Sequence, residues 1–214
     1  MDKRLVARIG ALTVLVLTLG VSGCASMSGD ECVASDWYTI GFEDGSRGYT
    51  PARLGDHRKA CAKHGIAPDF TAYRAGHEEG LRDFCKPSRG FRLGSGGGNY
   101  NGVCSAELEP AFLDAYNSGY HLYNLRSQVN SVDYQIDARE GELEGTKARI
   151  RETEAALINR ETPMEERVLL LADLKELSTR TGELQAEIDL LYEDRVRHEI
   201  ELASYEAVLA DSGY

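Results

Sequence analysis

Apolar positions fall into three regimes along this chain. Residues 9–19 form an apolar run broken only by Gly and Thr. From about residue 30 to residue 104 the apolar residues are mostly aromatic and are spaced against glycines. From Leu122 onward they recur in alternating steps of three and four: Leu122, Leu125, Val129, Val132, Ile136, Arg139, Leu143, Thr146, Ile150, Thr153 and Leu157. That spacing is a heptad seam and predicts one long helix beginning near Pro110. Thr162-Pro163-Met164-Glu165 restarts a helix, with Thr162 as the expected N-cap and Pro163 at the first helical position. A second seam follows: Leu170, Leu174, Leu177, Thr181, Leu184, Ile188, Leu191, Arg195, His198, Leu202, Tyr205 and Leu209. With a turn near 160–163 the arms must run antiparallel, so Ile150 is expected opposite Leu174, Leu143 opposite Thr181 and Ile136 opposite Ile188. Arg139, Arg195 and His198 within the seam are read as reaching acidic neighbours such as Glu183 or Glu199.

The middle regime contains an internal echo. Trp37-Tyr38-x-x-Gly41-x-x-x-Gly45, Phe70-x-x-Tyr73-x-x-Gly76-x-x-x-Gly80 and Phe112-x-x-x-Tyr116-x-x-Gly119 repeat one pattern. An aromatic residue followed by glycines three and seven positions later lies on one helical face. Glycine costs a helix about 1 kcal/mol against alanine, so a glycine face implies close approach of a neighbouring helix. We therefore expect three short helices packed through glycine. Another helix is expected over Pro51–Gly65, with Gly65 closing it. Asp69 is the expected N-cap of the helix that ends near Cys85. Residues 88–102, with six glycines, are expected to form a surface loop, with a short hairpin of Phe91–Leu93 against Tyr100–Val103. They do not read as a phosphate-cradling loop, which lies between a strand and a helix and usually holds a lysine.

The N-terminal run is too short to span a bilayer, which needs about 20 apolar residues. With Lys3, Arg4 and Arg8 before it and Val21-Ser22-Gly23-Cys24 after it, residues 1–23 read as a lipoprotein signal peptide cleaved before Cys24. Cys24 is then acylated, which makes a bacterial membrane the first partner. Ala25 follows it, where an acidic residue often retains lipoproteins in the inner membrane. The expected address is therefore the outer membrane, facing the periplasm. Residues 24–31 would be the lipidated tether, 32–109 a cysteine-rich helical module and 110–214 the helical hairpin.

Four further cysteines, Cys32, Cys61, Cys85 and Cys104, form an even set suited to an oxidising compartment. Three pairings are open. The sequential one, Cys32–Cys61 with Cys85–Cys104, is favoured because it closes short loops. A zinc site is the rival, since Cys61 and His64 have C-x-x-H spacing. Charge divides the chain as the cysteines do. Residues 25–104 hold ten acids and ten bases, whereas residues 105–214 hold 24 acids and 11 bases, within a formal net charge of −11 for the whole chain. An acidic exterior excludes nucleic acid as a partner, because phosphates need a basic face.

Taken together, Cys32, Asp36-Trp37, Gly41, Asp44-Gly45, Gly48, Cys61, the Tyr73-x-x-Gly76-x-x-x-Gly80-Leu81 run, Cys85, Gly90-Phe91 and Tyr100-Asn101-Gly102-Val103-Cys104 resemble the domain of unknown function 2799 family, small lipoproteins of Gram-negative bacteria. The resemblance spans about residues 30–125. It implies an envelope protein and carries no mechanism.

The expected fold is mainly α, a small disulfide-stapled helical module with a Gly-rich loop followed by a long antiparallel coiled-coil hairpin. The binding candidates are Asp44, His77, Glu79, Trp37, Tyr38, Tyr73 and Tyr116, with Asp44 and Glu79 as a carboxylate pair across the glycine faces. His57, His64, Asp56 and Glu78 accompany them. His77-Glu78-Glu79 lacks the second histidine of a helical zinc site, no serine stands in a nucleophile elbow, and no cofactor is called for. These absences point away from an enzyme and toward a scaffold or adaptor of the cell envelope. Its partners would be an envelope protein or a second copy, held through the coiled coil. The alternatives are a protein that binds or hydrolyses cell-wall carbohydrate, and a coiled-coil activator of a cell-wall hydrolase.

Overall fold

The computed structural model describes residues 27–212, so the expected signal segment and the expected acylation site at Cys24 lie outside the described residues. The described residues are helical, with no strand among them. The helices are α1 (Gly29–Ala34), α2 (Trp37–Ser46), α3 (Arg53–Ala62), α4 (Phe70–Phe84), α5 (Pro87–Ser95), α6 (Glu109–Ile158) and α7 (Met164–Ser212). They divide into two compact units. One runs to Phe84 and takes back residues 101–103; the other holds Cys85–Tyr100 and everything from Cys104.

In the first unit, local chemistry sets the helix starts. Ser28 and Glu31 form a capping box on α1, which takes in the last residues of the expected tether. The Asp36 carboxylate accepts the Tyr38 amide and opens α2. Asp69 accepts the amides of Thr71 and Ala72 at 2.9 and 3.0 Å, the expected cap of α4. Gly65, with φ +74°, closes the turn after α3. Helices α2 and α4 pack backbone to backbone. A methyl group at Gly41 would lie 2.0 Å from the Tyr73 carbonyl oxygen, and one at Gly76 would lie 1.9 Å from that of Tyr38. Gly45 and Gly80 make the same contact one turn on, against His77 and Phe42. Beside this crossing, Cys32, Trp37, Cys61 and Tyr73 form the core, with Met27, Ile40, Leu54, Ile66 and Ala72 around it. The Cys32–Cys61 disulfide ties α1 to α3.

The second unit holds a correction. Residues 87–95 are a helix, not a loop, and the hairpin expected at 91–103 does not form. Pro87 sits at the start of α5, where its missing N–H costs nothing. Gly90 and Gly94 then lie against α6, where added methyl groups would meet the carbonyl oxygens of Phe112 and Tyr116 at 2.4 and 2.1 Å. Gly119 returns the contact to Phe91. The echo of three segments is thus four helices in two glycine-packed pairs, α2 with α4 and α5 with α6. The third segment is simply the first turns of the long arm. The Cys85–Cys104 disulfide staples the second pair, so the sequential pairing holds and Cys61 is no zinc ligand.

The arms α6 and α7 are each about 75 Å long at 1.5 Å per residue. Leu143, Leu184 and Ile188 form a buried cluster between them. Arg180 bridges to Glu142 at 2.8 Å, which fits the expected antiparallel arms, but the register is shifted: Leu143 clusters with Leu184 and Ile188 and not with Thr181, its expected opposite. Arg139 reaches Glu187 at 3.0 Å and Arg195 lies 3.0 Å from Asp133, so the seam arginines do pair with acids at its edges. The Nδ1 of His198 is buried with no hydrogen-bond partner. Thr162 does not cap α7. Its hydroxyl donates to the Ala156 carbonyl and closes the C-terminus of α6.

Candidate binding site

The polar interior of the first unit centres on Asp44, which is only 5% exposed. Asp44 lies on α2 between Gly41 and Gly45, so the close helix crossing carries it inward. Its Oδ2 accepts the Tyr73 hydroxyl at 2.9 Å and lies 2.8 Å from Nε2 of His57. A carboxylate oxygen accepts, so Nε2 carries the proton and Nδ1 is the ring's free edge. Burial, then the hydrogen bond to Asp44, pushes the Tyr73 hydroxyl well above the ordinary tyrosine range. Around this centre Trp37 meets the His57 ring edge-on at 6.3 Å, and the His77 ring stacks on Tyr73 at 5.8 Å. His77 Nε2 bonds the Tyr49 carbonyl at 2.8 Å, and the Tyr49 amide in turn donates to Asp44 O. Each member therefore has a partner, as a buried polar group requires.

Four of the residues singled out from sequence, Trp37, Asp44, Tyr73 and His77, come together here. Three do not. Glu79 is exposed and takes the hydroxyl of Tyr38, whose titration it pushes up, so the carboxylate pair of Asp44 with Glu79 does not exist. Tyr116 lies in the second unit and donates to the Gly98 carbonyl at 3.0 Å. His57, named from sequence only as an accompanying residue, joins those four at the centre. Its place on the same face of α3 as Cys61, which the disulfide holds inward, was the available signal.

His57 also lines a depression of about 460 Å³ between α2 and α3. Met27, Ile40 and Ala60 supply its apolar lining. Its charged lining holds the cations Arg47, Arg53, Lys59 and Lys63. Against them stand Glu43 and Asp56, with Asp44 already committed to Tyr73 and His57. The ion pairs at this rim are loose. Arg47 is 3.8 Å from Glu43, while Arg53 and Lys59 share Asp56 at 3.6 and 3.7 Å. A larger depression of about 850 Å³ lies between the arms, but Arg180 on its wall is saturated by Glu142, Glu183 and Glu187. Among the described residues no three His, Cys, Asp or Glu side chains converge as a metal site would require.

The second glycine-packed pair shows what this centre adds. The turn after α2 and the turn after α5 share their hydrogen bonds. Gly48 N donates to Gly45 O at 2.9 Å as Gly97 N does to Gly94 O at 2.8 Å, and Tyr49 N donates to Asp44 O as Gly98 N does to Leu93 O. Both turn glycines have positive φ and lie under an aromatic ring, Phe84 in one unit and Tyr123 in the other. His77 bonds the Tyr49 carbonyl as Tyr116 bonds that of Gly98. By this correspondence Asp44 matches Leu93 and Tyr73 matches Phe112. The first unit therefore holds a carboxylate and a phenol where the second holds two hydrocarbons. It alone has α3, which delivers His57.

No curated protein and no solved structure matches the chain. Residues 36–121, which include both glycine-packed pairs, match the sequence profile of a family described as protein of unknown function (DUF2799), and the chain carries a domain of that family.

Proposed function

We propose that this chain is a lipoprotein of the bacterial envelope, anchored at the periplasmic face of the outer membrane through acylated Cys24, and that it acts as a non-catalytic scaffold or adaptor. One observation carries the adaptor role: the exposed apolar end of the hairpin. Around the turn, Ile158 is 82% exposed, Met164 73% and Leu169 67%, with Val168 and Leu171 also open. A cluster of exposed apolar side chains at the tip of a long arm marks a protein contact. The two-stranded seam buries little of this end, so a partner helix or a second copy adds the missing cover. The anchor rests on the lipoprotein signal in the sequence, and among the described residues no helix is long and apolar enough to cross a membrane.

Photo-crosslinkers placed at Met164, Val168 and Leu169 in living cells test this reading. Discrete protein adducts are expected from these positions and not from the charged flank at Glu140. Equal labelling from both surfaces, or none from the tip, would count against it.

A further inference from the structure

The depression beside the Asp44–Tyr73–His57 centre is a site in search of a ligand, and its chemistry selects one. Four cations face two surface carboxylates, giving a basic rim on a chain whose net charge is −11. The rim pairs are long enough to open toward an incoming anion. At about 460 Å³ the depression falls within the range of small-ligand pockets. His57 stands at its wall with its side chain 15% exposed, held from behind by a carboxylate that is itself fixed by a phenol. Such backing fixes the ring's orientation at the wall. Several N–H donors converging from Arg and Lys suit tetrahedral oxyanions.

The fold gives no reason of its own for this arrangement. The second glycine-packed pair closes the same crossing with Leu93 and Phe112, so a buried acid and phenol are not needed to pack it. A buried ionic group seldom adds stability over a hydrocarbon of similar volume. What the first unit gains is an oriented His57 at a basic rim.

Position names the source of the anion. Met27 lines the depression and packs on the core, and it lies three residues after Cys24. Three residues reach at most about 11 Å. On the proposed anchor, the depression is therefore confined to the headgroup layer. We infer that it binds the phosphate of an anionic phospholipid headgroup, with Arg53, Lys59 and Lys63 as charge partners and Asp44 and Tyr73 as positioning residues for His57. This rests on the lipid anchor proposed above for the source of the phosphate, though not for the affinity of the site.

The test is an NMR titration of the full-length protein, labelled with ¹⁵N, in neutral micelles. The probes are short-chain phosphatidylglycerol, its zwitterionic phosphatidylcholine counterpart and inorganic phosphate. Phosphatidylglycerol is expected to shift the amides of residues 53–63 saturably, at concentrations at least tenfold below those of the other two probes. The exposed triple variant R53A/K59A/K63A should weaken this at least tenfold. The double variant D44L/Y73F, which installs the pair found in the second unit, should keep its helical circular dichroism and lose tenfold in affinity. Shifts from inorganic phosphate with none from phosphatidylglycerol would overturn the headgroup as source and leave a soluble phosphate ester. No shift from any probe, or wild-type affinity in R53A/K59A/K63A, would overturn the site itself. Wild-type affinity in D44L/Y73F would overturn the positioning role. Intact-mass analysis of the membrane-extracted protein checks the anchor separately: an unacylated Cys24 would remove the headgroup argument while the phosphate arm still reads the pocket.

Discussion

The two glycine-packed helix pairs are alike in backbone and unlike in what they enclose. Each crosses at bare glycines, each turns on a positive-φ glycine beneath an aromatic ring, and each unit holds one disulfide. The second encloses Leu93 and Phe112 and continues into the long arm. The first encloses Asp44, Tyr73 and His57, and has an additional helix. An internal pair of this kind is a control that most folds lack. Features common to both pairs belong to the crossing. Features confined to one have some other cause, and at Asp44 that cause is sought in the basic depression beside it.

The sharpest way to break the comparison is to remove the acid alone. Asp44→Ala leaves the Tyr73 hydroxyl and His57 Nε2 without their acceptor in a buried setting, which should destabilise the first unit by about 3–5 kcal/mol. If the correspondence with Leu93 and Phe112 is real, D44L/Y73F should recover most of that loss. Trp37 is the only tryptophan and lies in the first unit, so its fluorescence during urea denaturation reads this directly. A double variant as unstable as Asp44→Ala would show that the two pairs are not interchangeable.

Next in size are the crossings themselves. Gly41→Ala and Gly94→Ala each place a methyl group about 2 Å from a backbone carbonyl oxygen, of Tyr73 and Tyr116 respectively. Neither backbone can step aside without opening its helix pair, so each should cost about 3 kcal/mol, at the upper end of overpacking. The comparison predicts similar losses in the two units. Trp37 fluorescence should report Gly41→Ala, and circular dichroism should report Gly94→Ala.

How much of this was legible in the sequence follows from the range of the interactions. The long arms were readable because a heptad seam repeats one local rule many times, but their register was not, since Leu143 clusters with Leu184 and Ile188 and not with Thr181. Asp36 as a cap and Gly65 as a terminator are likewise local. Helix α5 was hidden because six glycines between 90 and 102 read as a loop on propensity. The same missing side chains at Gly90 and Gly94 are what let it reach α6, and that benefit is tertiary. The Asp44 centre was half legible. Tyr73, Gly76, His77 and Gly80 share the α4 face that meets α2, which brings Tyr73 and His77 to Asp44. Glu79 lies off that face, so the carboxylate pairing failed. His57 shares the α3 face of Cys61, but nothing in the pattern named Asp44 as its partner, because that partner comes from another helix.

Alkaline titration sharpens the contrast at a smaller scale. The folded Tyr73 hydroxyl titrates above its unfolded value of 10.0, because burial and the Asp44 carboxylate both oppose the phenolate. The stability this contributes is complete below pH 10 and is lost as pH rises from 10 toward the folded value. Trp37 fluorescence should therefore report a first unit that weakens above pH 10, and Tyr73→Phe should flatten that slope. Tyr100, raised chiefly by burial, gives the second unit its own alkaline limit, which Trp37 does not see. An unchanged slope in Tyr73→Phe would place the alkaline sensitivity elsewhere.

The smallest effect has the opposite sign, and that makes it useful. Gly141, Gly145 and Gly182 stand within the arms with nothing inside 4 Å of an added methyl group, and none has a positive φ. Here glycine only loosens a helix, so alanine should stabilise the protein by up to about 1 kcal/mol at each position. The same substitution is thus expected to harm at Gly41 and Gly94 and to help at Gly141 and Gly145. Thermal unfolding followed by circular dichroism resolves the sign. If Gly145→Ala lowered the melting temperature, a partner would have to approach the arm closely there, as α4 approaches α2 at Gly41. The arm surface would then be an interface along its length and not only at its tip.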